Sequence, residues 1–162
     1  LDYTHYDEDK SLSESLEEKQ KYVCGFLFDK YRNSVVVIQK NRPEWQKGLF
    51  NGVGGKIEYG ETPLQAMYRE FKEEAGLKID DWIEFCVYEN LNGETIHFFY
   101  SVVIDEVHVY SVTDEIISLM SIEMLFNKYY PVISSLRWLI PMALELSFFG
   151  KYSVYKVKED NK

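Results

Sequence analysis

The chain has 162 residues, 46% apolar and 16% aromatic, with a formal net charge of −9. That length suits one domain with a real core, and the composition excludes extended disorder for most of it. The acidic balance speaks against a nucleic-acid polymer as partner, since such proteins carry a basic stripe, and no run approaches the roughly 18 apolar residues of a membrane span.

Residues 1–20 are polar and acidic, with Ser11 and Glu14 at capping-box spacing. They read as a flexible arm with one helical turn, ahead of a domain over 21–158 and a polar tail at 159–162. The start at Leu1 instead of methionine reads as truncated or foreign, and no secretory signal is visible. Cys24 and Cys86 sit in apolar runs without metal or redox spacing. They predict reduced, buried thiols and a cytoplasmic protein.

Residues 22–28 and 34–39 predict two strands around a polar turn. A loop over 40–48 leads to a glycine turn at 52–55 and a helix over 62–75. Thr62 suits the N-cap, Pro63 the first turn and Gly76 the stop. Residues 82–90 and 95–104 read as a hairpin around 91–94, and 115–120 as another strand. A last helix runs from 131 or 132 to 149, and Pro141 can kink it. Residues 152–157 alternate as a short strand or form a tail. Mixed strands with helices between them predict an α/β fold in three layers, α/β/α.

The helix over 62–75 carries Leu64, Met67, Tyr68, Phe71 and Ala75 at the spacing of a buried stripe. With Glu70 at zero, Glu73 falls at about −60° and Glu74 at about +40°. Three carboxylates thus share one side of the helix, although like charges at this spacing repel. A hard divalent cation with oxygen ligands removes that conflict; a solvated acidic face is the alternative. The glycines upstream favour the cation, because Gly52, Gly54 and Gly55 let the backbone turn tightly and come close to a phosphate.

Residues 55–77 match, at every fixed position, the Nudix box, Gly-x5-Glu-x7-Arg-Glu-U-x-Glu-Glu-x-Gly-U with U bulky and apolar. Gly55, Glu61, Arg69, Glu70, Phe71, Glu73, Glu74, Gly76 and Leu77 fill it. The chain is therefore identified as a member of the Nudix hydrolases, in their MutT-like branch. The resemblance implies a mixed sheet between helices, with the box as a loop–helix–loop. It implies Mg²⁺ or Mn²⁺ held by Glu70, Glu73 and Glu74, with Glu61 in support and the Gly54 carbonyl as a further ligand. Arg69 would orient the glutamates, and Lys56 and Gly55 would meet phosphate; a solvated loop lysine is the second reading of Lys56. The reaction implied is hydrolysis of the diphosphate linkage of a nucleoside triphosphate, modified or deoxy forms included, to monophosphate and pyrophosphate. A carboxylate outside the box takes the water's proton in several relatives. Here Thr113-Asp-Glu115-Ile matches that region, so Glu115 is the first candidate and Asp114 the second, against a plain surface acid.

Substrate marks are weaker, since fold and box do not set substrate. The stretch 48–56 resembles a turn of animal oxidised-purine nucleoside triphosphatases, in which an asparagine touches the purine. Asn51 holds that place, or simply begins an Asn-Gly turn. Leu136-Arg-Trp138-Leu-Ile-Pro141 resembles a helix of the same relatives, with Trp138 a base stacker or core. The acid pair with which those enzymes read the oxidised base is missing from 129–135, where Tyr130 can still stack. Marks of NADH, ADP-ribose and diadenosine-polyphosphate enzymes are also unmatched. The alternatives are an ADP-ribose or dinucleoside polyphosphate hydrolase, or a non-catalytic nucleotide sensor, acting as a monomer or homodimer.

Overall fold

The computed structural model describes residues 18–150 and 153–161. The expected arm falls almost wholly outside these, Ser11 and Glu14 included. Strands β1 (Lys21–Phe28), β2 (Ser34–Gln39), β3 (Phe50–Asn51) and β4 (Val53–Lys56) precede helix α1 (Pro63–Ala75). After it come β5 (Ile83–Glu89), β6 (Thr95–Val102), β7 (Ile116–Ser121), helix α2 (Leu136–Phe149) and β8 (Tyr155–Lys158). All eight strands form one mixed sheet in the order β3-β2-β1-β6-β5-β8, with β4 on β1 and β7 on β2. β1 runs parallel to β6 over its whole length, and β8 parallel to β5.

Strand periodicity sorts the core onto two faces. Cys24, Phe26 and Phe28 of β1 join Val35, Val37, Phe98 and Tyr100 under Leu136, Leu139, Ile140 and Ala143 of α2. Val23, Leu27, Val36, Ile38 and Phe99 face the other way, against Ala66, Met67, Phe71 and Ala75 of α1. A strand buried on both sides reads as the unbroken apolar run of β1. Gly25 sits between Val23 and Leu27 because α1 rests directly on it: a Cβ there would fall 2.7 Å from Met67 Cε.

The predicted hairpin is β5–β6, closed by Asn90 N–H on the Glu94 carbonyl (3.0 Å). Three expectations are corrected. The glycine turn is largely strand, since Val53–Lys56 pairs antiparallel with β1. The last helix begins at Leu136, not near 131: Phe50 N–H bonds the Pro131 carbonyl (2.7 Å) and Ile133 N–H the Phe50 carbonyl (2.9 Å). That bridge holds 131–133 extended. On α1, Ala66 takes a buried place that the stripe assigned to Leu64, which is exposed.

Candidate active site

Helix α1 starts and stops where its sequence signals lie. Thr62 and Gln65 form a reciprocal capping box, Pro63 opens the first turn, and Gly76 closes the helix at φ 67°. Its apolar face is clamped on the sheet, so the glutamates project along the opposite side.

Arg69 organises them. Its Nε and Nη2 grip both oxygens of Glu61 (2.6 and 2.9 Å). Nη1 reaches Glu70 (2.7 Å) and Glu73 (3.3 Å), and Nη2 also donates to the Lys56 carbonyl (3.0 Å). All five guanidinium N–H groups are thus engaged. The fork ties the box loop to the helix, and Glu58 N–H adds a bond to Glu61 (2.9 Å). Arg69 holds the Glu61 carboxyl at about 2, overriding some burial. The guanidinium itself is pushed further up, first by its bond to Glu61. Glu70 moves the other way. Burial raises its pKa, the Arg69 contact only partly offsets this, and the charges of Glu73 and Glu74 add to the rise.

These shifts set an acid-stability window. An unfolded glutamate titrates near roughly 4.3, so Glu61's contribution is whole above that pH and is lost as pH falls through about 2. Glu70 has the opposite sign, because its raised pKa lets the folded chain take up a proton earlier. Urea melts across this range should show a steep loss of stability below about pH 4. Glu61→Gln should flatten that part of the curve, and an unchanged profile would remove Arg69–Glu61 as its cause.

Gly55 has its own steric reason. A Cβ there would lie 2.5 Å from the carboxyl atoms of Glu70, so the bare backbone makes room for that carboxylate. Gly54 presses on β1, where a Cβ would meet the Val23 carbonyl at 1.9 Å. Lys56 ends β4 with its side chain exposed. Glu74 lies beyond the Arg69 fork, and its Oε2 accepts the Thr113 hydroxyl (3.0 Å).

Glu115 is buried, and both its oxygens are engaged. Lys40 Nζ bonds Oε2 (2.8 Å) and Asn41 N–H bonds Oε1 (2.7 Å). Burial pushes its pKa up, but these partners outweigh it and hold the carboxyl below the usual range. Asp114 is exposed and pairs with Arg42 (3.2 Å).

The candidate base-contacting residues do not form one cluster: Asn51 and Tyr130 lie at β3, on one edge of the sheet, and Trp138 lies against β5, with β2, β1 and β6 between. Asn51 Oδ1 takes the Gly52 N–H (2.8 Å) and the Cys24 thiol (3.8 Å), while Nδ2 donates to Gln46 Oε1 (3.2 Å). Tyr130 stacks on Phe50 with centroids 5.3 Å apart. Trp138 lies on α2 with its ring 6.4 Å from Tyr88. Lys40, Asn41, Gln46 and Thr113 escaped the sequence reading. Their partners are distant or lie in loops without periodicity, and only the Thr-Asp-Glu stretch hinted at one of them.

Among the described residues, no three His, Cys, Asp or Glu side chains are arranged to hold a metal ion, for Arg69 draws three of the glutamates to itself. The chemistry of the donor set nevertheless fits a hard divalent cation. It is all oxygen: three carboxylates share one guanidinium, and Glu74 on the same helix adds a fourth negative charge that Arg69 does not hold.

The NUDIX domain profile matches residues 18–139. An 8-oxo-dGTP diphosphatase of Proteus vulgaris is 36% identical over 62 residues, which is 38% of this chain and 54% of that protein. The matched part thus spans about half the length of that relative. Among solved structures, a MutT protein of Bacillus halodurans aligns with TM-score 0.65 and 18% identity, over 86% of this chain and 89% of that one. The NUDIX domain of Shewanella oneidensis NrtR, complexed with ADP ribose, aligns with TM-score 0.68 and 16% identity, over 86% and 98%. At such identities the two structures speak to fold alone. Among the described residues, no helix is long and apolar enough to cross a membrane.

Proposed function

This chain belongs to the Nudix hydrolase superfamily, and on that premise we propose that it is a divalent-metal-dependent pyrophosphohydrolase. Its proposed reaction cleaves the diphosphate linkage of a nucleoside triphosphate, modified or deoxy forms included, to monophosphate and pyrophosphate. The observation that carries this reading is the surplus of carboxylate around Arg69 on a helix anchored by its other face. Such a surplus repels an anionic phosphate unless a divalent cation stands between the two, which is the arrangement the proposed reaction requires.

Glu70, Glu73 and Glu74 would hold Mg²⁺ or Mn²⁺, with Glu61 and the Gly54 carbonyl in support. The cation would neutralise charge on the diphosphate and acidify a water. Arg69 keeps the carboxylates in place. Lys56, exposed at the end of β4, would meet a phosphate, and Gly55 would let the chain approach it. Glu115 is the proposed proton acceptor. Lys40 and the Asn41 N–H keep it ionised. Asn51, oriented by Gln46 and the Gly52 N–H, is proposed to read the base, with Tyr130 and Trp138 as the proposed stacking surfaces.

Gly55→Ala tests the cradle. The added methyl displaces the end of a flexible side chain, so the fold should survive within about 1 kcal/mol. Turnover should fall by about 100-fold, as expected for a misplaced reacting group. Wild-type turnover would mean that the place of the Glu70 carboxylate is immaterial.

The function itself is tested by product analysis with Mg²⁺ or Mn²⁺ against canonical and oxidised dNTPs, ADP-ribose and diadenosine tetraphosphate. Monophosphate with pyrophosphate from a triphosphate supports the proposal and names the base. Cleavage of ADP-ribose or the dinucleotide alone would transfer the same chemistry to another substrate. Binding without turnover would make the chain a sensor, a reading that the full set of carboxylates does not favour.

A further inference from the structure

Glu74 is the box carboxylate that Arg69 does not hold, and its partner comes from another part of the chain. The Thr113 hydroxyl has one proton and spends it on Glu74 Oε2 (3.0 Å). The same hydroxyl oxygen accepts the Glu115 N–H (3.3 Å). Just before it in the chain, Val112 N–H bonds the Glu74 carbonyl and Tyr110 N–H the Ala75 carbonyl, both at 3.3 Å. The 110–113 segment therefore satisfies carbonyls that the last turn of α1 leaves without helical partners.

The far end of this segment is fastened as well. Lys40 and the Asn41 N–H hold the Glu115 carboxylate, and Asn41 Nδ2 bonds the Asp114 carbonyl (3.1 Å). A continuous path thus runs from the end of β2, through a buried ion pair, to one oxygen of one glutamate.

We propose that Thr113 is the positioning residue for Glu74: its hydroxyl fixes Oε2 and leaves Oε1 to face the cation, and the Lys40–Glu115 pair is the post that keeps Thr113 in place. This rests on the metal role proposed for Glu74 above. The hydrogen-bond direction gives it chemical content. A hydroxyl whose oxygen already accepts an N–H points its proton at the carboxylate, so one carboxylate oxygen is occupied and the rotation of the group is stopped. Losing a supporting group of this kind typically costs about 10–100-fold in metal affinity.

The test is Mn²⁺ binding by titration calorimetry without nucleotide, on the wild type, Thr113→Val, Thr113→Ser, Glu74→Gln and the Thr113→Val/Glu74→Gln pair. Thr113→Val keeps the shape and removes the hydroxyl; Thr113 is exposed, so a thermal melt should show an unchanged fold. It should weaken Mn²⁺ by about tenfold or more, while Thr113→Ser restores the affinity. In the Glu74→Gln background Thr113→Val should add no further loss. Wild-type affinity in Thr113→Val, with Glu74→Gln weakened, would overturn this inference and leave the metal reading standing. Wild-type affinity in Glu74→Gln itself would overturn both.

Discussion

Glu74→Gln should lower turnover by about 10²–10³-fold, the size of effect seen when one stabilising group is removed from an active site, and should leave the melting temperature almost unchanged. The two halves of this expectation have separate causes. Helix α1 is held by Ala66, Met67, Phe71 and Ala75, all buried against the sheet, and Glu74 contributes nothing to that face. Glutamine is nearly isosteric, and its amide oxygen can still accept the Thr113 hydroxyl. What disappears is one negative charge on the projecting side of the helix. Steady-state kinetics on whichever substrate the product analysis selects, with a melt of the same sample, decides it. Turnover close to wild type would take Glu74 out of the site.

Arg69→Ala is the second large effect, and it falls on stability as well as turnover. Glu61, Glu70 and Arg69 side chains are 19%, 12% and 22% exposed, so removing the guanidinium strands two poorly solvated carboxylates. Breaking a buried pair by deleting one partner costs about 3–5 kcal/mol; partial exposure puts this one at the lower end. Arg69→Lys should recover only part, because an ammonium cannot span both oxygens of Glu61 while reaching Glu70. Urea unfolding measures both. Mg²⁺ in the buffer should stabilise Arg69→Ala more than the wild type, since a ligand that binds only the folded state raises its stability by mass action. No stabilisation of Arg69→Ala by Mg²⁺ would show that the carboxylates take up no cation when freed from the arginine.

The box was legible because its information is local. The spacing of Glu70, Glu73 and Glu74 sets their angles on a helix wherever that helix sits, and Thr62, Pro63 and Gly76 mark its ends by backbone chemistry within a turn. The apolar runs of β1 and β2 are local in the same sense. Gly55 is an intermediate case. Its place in the motif is visible in the sequence, but the steric reason, a Cβ that would strike Glu70, needs β4 and α1 in position.

By itself the sequence determined the family motif, the catalytic-type helix with both its ends, and the paired strands that flank it, all through contacts between near neighbours along the chain. The tertiary structure decided the rest. It set the start of α2 at Leu136, because residues 131–133 are bound to Phe50. It gave Glu115 its partners Lys40 and Asn41, which lie 75 and 74 residues away. It brought Thr113 to Glu74 across 39 residues. No periodicity or propensity encodes which loop meets which at the end of a sheet, since those contacts form only once β2, β7 and α1 are packed in place.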